Sequence, residues 1–77
     1  MMYRVETTST GHSNGHTYGN PRAALTVYNN IRALYRRLGY TIADAGKGCN
    51  SRCELWIKDN MPDRNIEIWP IAPQRKH

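Results

Sequence analysis

Apolar and polar positions alternate over residues 3–9, Tyr-Arg-Val-Glu-Thr-Thr-Ser, and the β-branched residues in that run predict a first strand. The pattern then dissolves into Gly11-His12-Ser13-Asn14-Gly15-His16-Thr17-Tyr18-Gly19, a small, polar, glycine-rich stretch that reads as a loop. Asn20-Pro21 closes it. Asparagine is a favoured N-cap and proline a favoured first helical residue, so a helix starts here. From that point Ala24, Val27, Tyr28, Ile31, Leu34, Tyr35 and Leu38 recur at three- and four-residue steps, the buried stripe of an amphipathic helix. Arg22, Thr26, Asn29, Asn30, Arg32, Arg36 and Arg37 fall mainly off the stripe. Arg36 and Arg37 complement the dipole of the last turn, and Gly39 supplies the stop.

Three further strands are predicted, over residues 40–45, 53–59 and 65–69. Asn60-Met61-Pro62-Asp63-Arg64 is a turn between the last two, and Pro70 and Pro73 are expected to end the sheet. The basic tail 72–77 is expected to be flexible. A helix of about 19 residues is about 28 Å long, longer than a strand of about six or seven residues, so it crosses the sheet once. The strands before and after it are then parallel, joined by a right-handed crossover, with antiparallel hairpins following. The expected fold is α+β: a two-layer α/β sandwich in the order β-α-β-β-β, one helix packed on a four-stranded mixed sheet. Both glycine-rich loops, 11–19 and 46–53, should lie beside the helix N-terminus, at the end of the sheet where open α/β folds bind ligands.

A chain of 77 residues has room for one domain, with its core over about 3–71. A core this thin gains from a metal, a disulfide or a second subunit. No apolar run reaches membrane-spanning length, and the first residues lack the apolar stretch of a signal peptide. The expected setting is cytoplasmic, in the producing cell or in a host if the gene is viral. There the two cysteines stay reduced unless metal-bound.

Charge narrows the reading further. Eleven Lys and Arg against six Asp and Glu leave a net charge of +5, which attracts polyanions. The leading expectation is a small non-catalytic binding module engaging nucleic acid or an acidic protein. Arg22, Lys47, Arg52 and the free N–H groups of the first helical turn would meet phosphates, and Arg32, Arg36 and Arg37 would extend the basic surface. Gly46-Lys47-Gly48 is not a phosphate-binding loop of the nucleotide-hydrolysing kind, because the G-x4-G-K-[ST] pattern is absent.

Two constellations remain. His12 and His16 are spaced H-x3-H and Cys49 and Cys53 C-x3-C, intervals that suit a tetrahedral structural zinc if the two loops meet. A Cys49–Cys53 disulfide and two ordinary thiols are the alternatives. In the third predicted strand Leu55 and Ile57 share one face, matched by Ile66 and Ile68 in the fourth. Glu54, Trp56 and Lys58 share the other with Glu67 and Trp69. With the helix over the Leu-Ile side, Trp56 and Trp69 form an exposed platform for stacked bases or a protein partner, and the flanking Glu54 and Glu67 favour the protein. The register would set Trp56 opposite Glu67 and Glu54 opposite Trp69. The partner would be a host protein bound by a small inhibitor or adaptor of the kind viruses encode, or a second copy in a homodimer. Asp44, Glu54 and Glu67 show no carboxylate spacing that demands acid–base catalysis, so no enzyme activity is expected.

Overall fold

The run that reads as a glycine-rich loop is a strand. In the computed structural model, which describes residues 2–48 and 51–71, the chain forms β1 (Met2–Ser9), β2 (His12–Tyr18), α1 (Pro21–Arg37), β3 (Thr41–Lys47), β4 (Arg52–Ile57) and β5 (Arg64–Ile71). β1 and β2 are joined by Thr10 and Gly11 alone, with φ of 48° and 78° and Ser9 opposite His12. Two consecutive positive φ values mark the tight turn whose twist matches a hairpin.

The α+β class stands, but the sheet has five strands in the order β2-β1-β5-β4-β3, and every neighbouring pair is antiparallel. The four-stranded mixed sheet is therefore corrected. The crossover departs from β2, not from β1. Four reversals separate β2 from β3, so these two edge strands run the same way, and α1 still crosses the sheet once between them.

The helix ends are set by local chemistry. Asn20 Oδ1 accepts the Ala23 N–H at 2.7 Å. At the other end Gly39, at φ 92°, donates to Arg36 O at 3.0 Å, and Tyr40 donates to Tyr35 O at 2.9 Å. That pair of reversed bonds satisfies carbonyls the helix leaves open. Lys58 Nζ takes the Leu38 carbonyl at 2.6 Å.

The core consists of Val5, Ala24, Tyr28, Tyr35, Tyr40, Trp56, Ile66 and Ile68. β4 sits in the opposite phase to the expected one: Glu54 and Trp56 face the helix side, while Leu55 and Ile57 turn outward. Glu54 is opposite Ile66, and Trp56 is opposite Arg64. Apolar residues occupy both parities of this strand, so alternation alone does not choose. Burying the indole removes the largest apolar surface from water, and the carboxylate carried in with it finds partners. Pro70 does not end the sheet either. β4 reaches only as far as Ile68, so Pro70 is flanked by β1 alone, opposite Tyr3, and tolerated as at an edge. Pro73 and the basic tail lie outside the described residues.

The helix packs over β1, β5 and β2. All seven residues of β3 are exposed. The molecule measures 50 × 24 × 19 Å, and its helical layer covers only one side of the sheet's width.

Candidate nucleic-acid interface

Because α1 is seated over β2, β1 and β5, its flank and the β4–β3 edge form the two walls of a groove. β3 runs toward the end where α1 begins, and β4 leaves from there, so Lys47 and Arg52 stand opposite each other at that end. Together with Gly48, Ser51, and Pro21 and Leu25 of α1, they line a cleft of about 190 Å³ over Tyr3 and Ile68. The first turn of α1 contains no acidic residue, so nothing on the helix offsets the positive end of its dipole. A second hollow of about 300 Å³ continues along the strands past Ala45 and Gly46 to Glu54.

Farther along, the groove is closed by a polar joint. Arg32 Nε donates to Glu54 Oε1 at 2.8 Å, and the Trp56 indole N–H donates to the same oxygen at 3.2 Å. The Arg36 guanidinium lies 5.7 Å from the Trp56 ring centroid, close enough for a cation–π contact. Arg64 is within 5.2 Å of the Tyr35 ring and 4.9 Å of Tyr40. Below the joint the Tyr28 hydroxyl is buried without a hydrogen-bond partner. Burial first, and the nearby Glu54 charge second, hold its phenol well above the ordinary tyrosine range.

The groove thus gathers part of the expected basic set. Lys47, Arg52 and Arg36 are exposed along it, while Arg32 is half-buried and engaged with Glu54. Arg22 and Arg37 are exposed at the two ends of α1, and Arg22 does not line the cleft.

His12 and His16 are not brought together with Cys53. His12 and His16 lie on β2 at the far edge, beside clefts on the helix side of the sheet. Cys53 faces the other side from β4, its thiol 3.8 Å from Asn65 Oδ1, with β1 and β5 in between. Burial, and then the charges of Glu67, Asp44 and Glu54, push that thiol's pKa up. Among the described residues no group of three or more His, Cys, Asp or Glu is arranged to hold a metal ion. Cys49 lies outside them. The metal expectation depended on residues 11–19 being a loop, and their pairing with β1 extends them away from Cys53.

Trp56 is fully buried and is removed from the expected protein interface. Trp69 is half-buried on the face away from the helix, opposite Arg4. The residue that sequence reasoning missed is Glu54, placed on an exposed face but in fact the acceptor joining helix to sheet. No local signal marks it, since its partner Arg32 is on another element. No described helix is long and apolar enough to cross a membrane. Comparison with protein-family models, curated proteins and solved structures gave no match to this chain. The functional reading therefore rests on the geometry of an α+β fold with one helix on a five-stranded antiparallel sheet.

Proposed function

We propose that this protein is a small non-catalytic module that binds nucleic acid along the groove between α1 and the β4–β3 edge. The observation that carries the reading is the convergence of Lys47 and Arg52 on the uncompensated N-terminus of α1, in one cleft. Backbone N–H groups and two cations around a concave surface suit a phosphate, and Arg36 extends the same charge along the groove. The buried Trp56 ring is unavailable for stacking, so contacts go to the backbone and binding tolerates many sequences.

The test is fluorescence anisotropy with a labelled oligonucleotide, titrated at several salt concentrations between about 50 and 200 mM. Affinity should fall linearly on a log–log plot. The Lys47→Ala/Arg52→Ala pair should flatten the slope by about 1.4–1.8, the loss of two phosphate contacts. Binding that ignores salt, or that the double variant leaves unchanged, overturns the reading.

A second reading rests on the opposite face. No described element covers it, and it presents Trp69, Leu55 and Ile57 beside Glu67 and Asp44, with Glu6 ion-paired to Arg4. Apolar area flanked by acids suits a basic protein surface. A Trp69→Ala change that abolishes capture of a protein partner while sparing oligonucleotide binding would support this second reading.

A further inference from the structure

The edge opposite the basic groove differs from every other part of the sheet. β2 pairs with β1 over all seven of its residues without a bulge, and its other side has no strand neighbour among the described residues. Among the described strands it is also the one with no Asp, Glu, Lys or Arg. Sheet edges are usually guarded by charges, prolines or bulges. β3 follows that rule, with Asp44, Lys47 and a register shift between Ile42 and Asp44. β2 has none of these guards. Beside it, between strand and helix, runs an open groove of about 390 Å³ whose lining includes Asn14, His16, Val27, Ile31 and Leu34, with Leu34 45% exposed, and one cation, Arg64, held against the Tyr35 and Tyr40 rings.

We infer that β2 is the seam of a homodimer, in which two copies pair this strand antiparallel about a twofold axis and continue one sheet to ten strands. Charge selects the occupant. A chain of net charge +5 meets its own copy most favourably where it carries no cations, and β2 is that strand. The face away from the helix is less suited, because it carries Arg4, Glu6 and Glu67 together, Glu6 paired with Arg4 and facing Glu67, and a face-to-face pair would bury all six charges. Twofold pairing at β2 also sets both helices on one side of the sheet, so the Val27–Ile31–Leu34 flank of each turns toward its copy. The seam is self-complementary: neutral strand to neutral strand, apolar flank to apolar flank.

The β2 seam shares no residue with the basic cleft, so this inference is independent of the nucleic-acid reading and is tested without nucleic acid. Sedimentation velocity on the full chain should show a concentration-dependent species of twice the 8.9 kDa chain mass. Asn14→Lys, which sets a cation on each side of the seam, should weaken that dimer at least about tenfold, with far-UV circular dichroism unchanged. Ala43→Lys, on the β3 edge, should leave it intact. Hydrogen exchange on the unaltered chain gives a readout that needs no variant. Amides of residues 12–18 should gain protection with concentration, and those of 41–47 should not. A monomer at every concentration up to about 1 mM overturns the inference. So does a dimer that survives Asn14→Lys, one that Ala43→Lys weakens equally, or protection at 12–18 that is independent of concentration.

Discussion

Arg32 and Glu54, one on the helix and one on β4, meet at 2.8 Å, and the acceptor oxygen is the one that also takes the Trp56 indole N–H. This bond joins α1 to a strand outside the helix's main seat. It also accounts for the phase of β4: turning Trp56 inward carries Glu54 with it, and Arg32 makes the carboxylate tolerable there. Replacing Glu54 by Ala leaves a guanidinium and an indole N–H without their acceptor. The expected loss is about 2–3 kcal/mol, below that of a fully buried pair because Arg32 keeps some solvent contact. Urea midpoints of the two proteins measure it, and Glu54→Gln should lose roughly half as much because it retains an acceptor.

Trp56 and Trp69 should separate sharply in stability. Trp56→Ala empties the centre of the core, an expected loss of about 3–5 kcal/mol, comparable to the whole stability of a domain this small. Trp69→Ala, on the uncovered face, should lose less than about 1.5 kcal/mol. Thermal melts followed by circular dichroism distinguish the two, and equal losses would contradict the assigned phase of β4.

Tyr28 is a case where removing a polar atom does little harm. Its hydroxyl is buried without a partner, so Tyr28→Phe should change stability at neutral pH by no more than about 0.5 kcal/mol. The effect appears in alkali. The folded chain holds the phenol's proton above the ordinary range, so this contribution is fully present below the unfolded pKa of about 10 and is lost as pH rises through the raised folded value. Stability measured from about pH 9 to 12 should therefore fall less steeply in Tyr28→Phe than in the parent chain.

Cys53 should be a slow thiol. Its raised pKa, set by burial and then by Glu67, Asp44 and Glu54, leaves little thiolate near neutrality. In a Cys49→Ser background, alkylation at about pH 8 should run slower than for a free cysteine. Glu67→Gln should accelerate it by removing the largest of the three charge effects.

The helix was readable in the chain because its determinants are local: Asn20-Pro21, the apolar stripe and Gly39 each act within a turn or two. Its crossing of the sheet was readable from length alone, and that placed Lys47 and Arg52 at its N-terminus as found. β2 was hidden by its own composition. Gly15 interrupts a strand pattern, yet the Arg4 side chain occupies the space a Cβ would need there on its way to Glu6. The usable signal was Thr10-Gly11, a two-residue turn followed by His12, Asn14, His16 and Tyr18 at alternate positions. The phase of β4 and the strand order were beyond local reading. The first is decided by Arg32, 22 residues away, and the second by pairing of β1 with β5 across nearly the whole chain.

The off-centre helix also sets a gradient of opening across the sheet. β1 and β5 are held by a strand on each side and by α1 above, whereas β3 is held by β4 alone and buries none of its residues. Strands with so few apolar contacts detach at a small fraction of the global unfolding free energy. β3 is therefore the first segment to fray, and Lys47 sits at its end. A polyanion bridging Lys47 to the first turn of α1 would act as a splint. It would slow exchange of the β3 amides most and leave the β1–β5 centre, already closed, almost unchanged.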